Sequence, residues 1–320
     1  MRIVRNLFAA ALIGVSAPAL AETQLSIATG GTGGVYYPYG GGLAELINKY
    51  VDGASAVAEV TGASVENMGL VSRQDSDIAL ALADTVYAGH TGTGRFEDRK
   101  LDNVVALGSI YPNAVQIVTL ADSGVTSLAD LKGKRVSVGA PGSGTEVSAK
   151  TILEANGITY DDFEPQRLNF NETADALRDG DIDAGFWSVG PPTSSIINLA
   201  TNRDIALVAL SETEIEKARA AEPTFAAYTL RAGIYEGIAE PVPTISTPNV
   251  LIANSAMDDD LAYNVTRVLF EHVDELRAIH PAANDTTIAF SLGATPIPLH
   301  PGAARYYEEA GAEVPDRLKP

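Results

Sequence analysis

Short apolar runs alternate with helical periodicities along almost the whole chain. Leu25-Ser-Ile-Ala28 is a brief alternating strand that runs into the glycine-rich turn Gly30 to Gly34. Pro38 suits the first turn of a following helix, whose apolar face is Leu43, Leu46 and Ile47. A second strand is expected over Val57 to Val60, then a short helix opening on Ser64-Val-Glu-Asn with Ser64 as its N-cap. The continuous apolar run Ile78 to Leu82 predicts a strand covered on both faces. Alternation at this spacing predicts parallel β-α-β units.

Two further stretches, Val104 to Ala106 and Val115 to Leu120, read as strand and are placed to carry the chain from one lobe into another. The pattern then resumes. Val136 to Val138 is a strand, Pro141-Gly-Ser-Gly a turn, and Val147, Ile152 and Leu153 mark a helix closed by Gly157. A helix over Asn171 to Arg178 ends at Gly180 and feeds a strand from Ile182 to Trp187. Ile205 to Leu210 is one more strand, and Glu212 to Ala221 an acidic, solvated helix. Prolines forbid helix between Pro241 and Ile252 and predict an extended return crossing. Leu261 to Ile279 reads as one long amphipathic helix ended by Pro281, and the last residues, with a short helix near Arg305 to Ala310, are expected to wrap the first lobe. The fold class is therefore α/β: residues 22–114 and 247–320 in one lobe, 115–246 in the other, joined by two crossings.

Composition narrows the setting. Arg2 and Arg5, the apolar run Leu7 to Leu20 and the small-residue site Ala19-Leu-Ala21 predict a secretory signal over residues 1–21. Without it, 20 basic residues face 41 acidic ones, a formal charge of −21. Such a surface repels nucleic acid and anionic lipid. The absence of cysteine excludes disulfides, thiolate metal sites, a cysteine nucleophile and a lipid-anchor cysteine. No later apolar segment approaches the length of a membrane span. Together these predict an untethered periplasmic protein, long enough for two cores.

Candidate chemistry sits where strands end in glycines and helices begin. The first N–H groups of a helix lack internal acceptors and lie at the positive end of its dipole, so a small anion binds there without a basic side chain. Thr32, Gly33, Gly34, Tyr36 and Tyr37 form one such start; Ser143, Gly144 and Thr145 form another, one in each expected lobe. Ser143-x-x-Glu146 is equally an ordinary capping box. Asp84 follows a buried strand at its carboxyl end, either as a ligand contact or as a cap. Glu66 and Asn67 lie in a first helical turn. Trp187, the single tryptophan, is expected in the cleft, with a core position as the alternative. Enzyme signatures are missing: there is no G-x-S-x-G, no G-x-G-x-x-G, and Gly133-Lys-Arg135 lacks the rest of a phosphate loop. His90, His272, His280 and His300 show no metal spacing, although His272 and His280 are placed to share a face of the long helix. Asp181 and Asp183 flank a strand and are expected to solvate it, while spacing alone leaves a carboxylate-pair hydrolase open.

Several segments, in order, carry a resemblance: Gly31-Thr-Gly-Gly-Val-Tyr-Tyr37, Ser64-Val-Glu-Asn67, Asp77-Ile-Ala with Asp84 and Tyr87, Gly142-Ser-Gly-Thr-Glu146, and Ile182-Asp-Ala-Gly-Phe-Trp187 with Gly190-x-Pro192. The chain resembles the TAXI-type solute receptors of tripartite ATP-independent periplasmic (TRAP) transporters. Leu128-Ala-Asp-Leu-Lys-Gly-Lys-Arg-Val136 is shared more widely among type II periplasmic binding proteins. The resemblance implies a type II periplasmic binding protein of two α/β lobes joined by two hinge crossings, without enzymatic activity or cofactor. It implies closure around glutamate or a related dicarboxylate and delivery to an ion-gradient-driven permease. By match, Thr32, Gly33, Tyr36, Glu66, Asn67, Asp84, Ser143, Gly144, Thr145 and Trp187 line the cleft. Leu82 departs from the family pattern, which often has a polar residue such as glutamine there, and this weakens the case for glutamate itself. Three alternatives stand beside this reading. One is a binding protein of the same fold serving an ATP-driven (ABC) importer of a sulfonate or heterocycle. The others are a periplasmic hydrolase and a ligand-sensing partner of a membrane kinase.

Overall fold

The computed structural model describes residues 23–320, and the expected signal segment lies outside them. β1 (Thr23–Ala28), α1 (Tyr36–Tyr50), β2 (Ala54–Glu59), α2 (Ser64–Ser72), β3 (Ile78–Leu82) and α3 (Ala83–Thr91) build the first lobe's β-α-β units. β1 pairs in parallel with both β2 and β3. Every residue of β3 is buried, as its unbroken apolar run requires.

β4 (Val104–Leu120) is a single strand of 17 residues where the hydrophobic pattern suggests two pieces. Its first half pairs antiparallel with β10 (Val242–Asn254), and from Ala114 onward it pairs with β7 (Ala184–Val189) and, at its end, β8 (Ile205–Leu207). Between them run β5 (Arg135–Ser137), α4 (Gly144–Ala155), β6 (Glu164–Gln166), α5 (Phe170–Asp179) and α6 (Ser194–Asn202), followed by α7 (Glu212–Ala221) and β9 (Ala226–Leu230). The main sheet path is β2-β1-β3-β10-β4-β7-β5-β6, so β4 and β10 are the strands shared by both halves. Pro112 and Pro248 face each other across that pair, beside a register shift between Pro248 and Val250. Proline has no N–H to donate, so the ladder is weakest where the chain passes between lobes, a natural place to bend.

The chain closes over the first lobe with α8 (Asp259–Glu271), α9 (Val273–Ile279), α10 (Ile288–Ala294) and α11 (Pro301–Glu309). The single long helix expected over Leu261 to Ile279 is broken at His272, which caps both halves with φ −114° and ψ 23°. His272 and His280 therefore share no helical face. His272 stacks on Tyr50, and His280, beyond the end of α9, accepts the Ala282 N–H through Nδ1. Ser64 is not the cap of α2. Ala63 holds that place at φ 73°, and the Ser64 hydroxyl accepts the Leu82 N–H at 3.1 Å, tying α2 to the end of β3. One apolar core lies wholly in the second lobe, on Val115, Ile117, Ile152 and Phe186. The other fills the first lobe and runs on into Leu177, Trp187 and Ile196 of the second, so the interior is continuous beneath the seam.

Candidate ligand-binding site

A cavity of about 390 Å³ lies between the lobes, framed by the starts of four helices. Val35 and Tyr36 open α1, and Ala63 and Ser64 open α2, from the first lobe; Gly144 and Thr145 open α4, and Asn169 and Phe170 open α5, from the second. In α4 the Ser143 hydroxyl accepts the Glu146 N–H at 3.2 Å. Glu146 does not return the bond, so only half of the expected capping box forms: its carboxylate is held by Arg167 at 2.7 Å and Arg95 at 3.0 Å. The first amides of α1 and α4, which have no intrahelical acceptor, remain for a ligand. In α2 the Val65 and Glu66 amides do not, because Gly142 of the second lobe offers them its carbonyl at 3.0 and 3.4 Å.

The two crossing strands contribute a polar network at the cavity's edge. Tyr36 Oη donates to Asn249 Oδ1 at 2.6 Å, Asn249 Nδ2 donates to Asn113 Oδ1 at 2.7 Å, and Asn113 Nδ2 donates to the Ser188 carbonyl at 2.9 Å. Burial, opposed by a hydrogen bond from Ser64, pushes the Tyr36 phenol far above its ordinary range, so it stays a neutral donor. Thr145 Oγ1 accepts the Ser188 N–H at 3.4 Å and keeps its own proton to give. Ser188 Oγ is buried and has no hydrogen-bond partner among the described residues, a condition that costs about 1–3 kcal/mol unless something in the cavity satisfies it.

Direct contacts across the seam describe a closed form. Ser148 Oγ donates to Asp84 Oδ2 at 2.6 Å, Arg95 pairs with Glu146, Ser194 Oγ donates to the Gly33 carbonyl at 3.3 Å, and Asn171 Nδ2 donates to Thr32 Oγ1 at 3.4 Å. Burial pushes the Asp84 carboxyl from 3.8 up to about 6, only partly offset by the bonds from Ser148 and Thr85. Because this pKa is raised, the associated stabilisation is complete below about pH 4 and is lost as pH rises through about 6. Asp84→Asn keeps the Ser148 contact without the titration. We expect urea unfolding of the wild type to lose roughly 2–3 kcal/mol more than this variant between pH 4 and 7. Parallel curves for the two proteins would remove Asp84 from the balance.

Of the residues marked in the sequence, Gly34, Tyr36, Ser143, Gly144 and Thr145 line the cavity. Thr32, Gly33 and Asp84 lie on the seam instead, holding the lobes together. Tyr37 is exposed. Glu66 is also exposed, and its carboxylate accepts the Gly62 N–H at 2.6 Å. Asn67 is buried and donates to the carbonyls of Ala28, Thr29 and Leu80, joining the ends of β1 and β3. Trp187 is wholly buried; its Nε1 donates to Ser195 Oγ at 3.1 Å, and Phe170 stacks between it and the cavity, ring centroids 6.1 Å apart. The lining residues Asn113, Phe170 and Ser188 went unmarked. Asn169-x-x-Glu172 is a capping box that could have disclosed a further helix start beside Phe170, whereas nothing local distinguishes Asn113. Among the described residues, no cluster of three or more metal-ligating side chains occurs, and no helix is long and apolar enough to cross a membrane.

Two lobes sharing two long crossing strands, with helix starts converging between them, define the type II periplasmic-binding-protein fold. Solved structures share it. One from Bordetella bronchiseptica RB50 is 18% identical, with 93% of this chain and 91% of that one covered at a TM-score of 0.55. A protein provisionally described as an L-cystine ABC transporter from Listeria monocytogenes is 15% identical, covering 83% and 98%, with a TM-score of 0.54. PhnD1 from Prochlorococcus marinus MIT 9301, in complex with methylphosphonate, is 11% identical, covering 82% and 90%, with a TM-score of 0.52. The sequence profile described as the NMT1-like family matches residues 27–311, and the chain belongs to that family.

Proposed function

We propose that this protein is a periplasmic solute-binding protein that closes around a small organic anion and hands it to a membrane importer. The observation that carries this reading is the interlobe cavity of about 390 Å³, lined by the starts of α1 and α4 with Ser188 beside them. A ligand shifts an open–closed balance only by the contacts it makes in the closed form alone. Here the amides of α1 belong to one lobe and those of α4 to the other, so only closure brings both onto one ligand.

The class of importer rests on separate grounds. The motif resemblance supports a gradient-driven tripartite permease. The likeness to the Listeria protein, itself described as an ABC transporter, supports an ABC importer and favours that alternative over the tripartite one. A neighbouring gene for an ATPase subunit would decide for the ABC reading, and genes for large permease subunits without an ATPase would decide against it.

Native mass spectrometry, on protein as purified and after incubation with candidate anions, tests the binding reading directly. A bound small anion is expected on the wild-type protein and is expected to be absent, or at least tenfold depleted, on a folded Thr145→Val, Ser188→Ala double variant. Loss of two hydroxyl contacts of about 0.5–1.5 kcal/mol each supports that scale. Wild-type protein that neither carries nor takes up any organic anion would defeat the proposal.

A further inference from the structure

We infer that the ligand carries a single anionic end on an apolar body, and that Leu82 sets this preference over dicarboxylates. The inference rests on the solute-binding reading above and departs from the dicarboxylate that the sequence resemblance implies.

The cavity holds one well-equipped place for an anion. The N-terminus of α4 supplies the Gly144 and Thr145 amides, the Thr145 hydroxyl has a proton to give, and Ser188, whose buried hydroxyl has no partner among the described residues, lines the wall beside them. A second carboxylate would find no comparable set: the first amides of α1 stay free, but the Tyr36 phenol beside them has given its proton to Asn249. No lysine, arginine or histidine lines the cavity among the described residues. Arg95 and Arg167, which reach α4, are both engaged by Glu146. In α2 the Val65 and Glu66 amides are engaged by Gly142. The phenol proton of Tyr36 is committed to Asn249. The one charged lining residue is Glu172, an exposed carboxylate that accepts the Asn169 N–H at 2.9 Å as part of the α5 cap.

What remains of the wall is apolar. Leu82, Phe170, Val189 and Pro141 line it, and Val60 stands at it with 57% of its surface exposed. Leu82 ends β3 and packs toward the start of α4: a Cβ built on Gly144 would lie 2.6 Å from Leu82 Cδ1. An isobutyl group beside the anion site removes the place where a side-chain amide could donate to a second carboxylate. Closing the lobes over an unpaired carboxylate is costly, whereas closing them over a hydrocarbon is favourable.

The test compares 2-oxoglutarate with 5-methyl-2-oxohexanoate, identical except that an isopropyl group replaces the second carboxylate. Calorimetry on ligand-stripped wild-type protein is expected to give the branched acid at least about tenfold tighter binding. Leu82→Gln is expected to narrow or reverse that ratio, and Leu82→Met to preserve it. Tighter binding of 2-oxoglutarate or glutamate by the wild type would overturn the inference while leaving the solute-binding reading intact. So would an equal ratio in wild type and a folded Leu82→Gln. No saturable binding of either oxoacid, together with protein that carries no anion in native mass spectrometry, would overturn both.

Discussion

Gly144→Ala protein is expected to be at least as stable as the wild type without ligand, yet to bind its ligand roughly 5- to 150-fold more weakly. Gly144 is the first residue of α4 and its φ is not in the left-handed region, so alanine fits the local backbone. Such a replacement stabilises by about 0.4–1 kcal/mol through the unfolded chain. The obstacle lies wholly in the other lobe. The new methyl group would sit 2.5 Å from Ser64 Oγ and 2.6 Å from Leu82 Cδ1, far inside contact distance. Ser64 cannot swing aside without releasing the Leu82 N–H it accepts. The methyl therefore acts as a wedge at the seam: it leaves the open form untouched and raises the energy of the closed one. An overpacked contact costs about 1–3 kcal/mol, which is roughly 5- to 150-fold in affinity. Thermal unfolding of ligand-free protein and titration with the tightest-binding oxoacid separate the two effects. Unchanged affinity would mean that the lobes need not meet here to hold the ligand.

The second large effect concerns the tryptophan. Trp187→Ala is expected to lower stability by about 3–5 kcal/mol, or on the order of 10 °C in unfolding temperature. The ring is fully buried, its N–H is bonded to Ser195, and Phe170 rests on its face. Trp187→Phe is expected to retain most of the packing and ligand affinity while losing the Ser195 bond. Had the indole touched the ligand, as its place near the end of a strand suggests, the Phe variant would keep its stability and lose affinity. Scanning calorimetry on both variants, with and without ligand, distinguishes these outcomes.

The limits of what the chain discloses follow from the range of the forces involved. β3 is legible because an unbroken apolar run of five residues has few other resting places than a doubly covered strand. Gly180 is legible as a stop because its φ of 79° is one that glycine accepts at little cost. The break at His272 is not, because no proline or glycine marks it; the ring stacks on Tyr50, more than two hundred residues away in sequence. Ser64 illustrates the same limit at the scale of one hydroxyl. Its sequence setting suits a cap, but the end of β3 presents a competing N–H that local spacing cannot reveal.

For the site, local pattern identifies the helix starts at Tyr36 and Gly144, since a glycine-rich turn after a strand leaves amides without acceptors wherever it occurs. It also establishes the α/β alternation and the acidic surface, which depend only on neighbours and on charge totals. Which amides stay free is settled by approach across the seam: Gly142 occupies those of Val65 and Glu66 in α2 and leaves those of α4 open. The same approach turns Asp84, Gly33 and Thr32 into contacts between lobes, places Phe170 between Trp187 and the cavity, and gathers Asn113 and Asn249 from strands 136 residues apart. Those assignments depend on distances between segments remote in sequence, which only the packing of β4 against β10 and the closing of one half over the other can set.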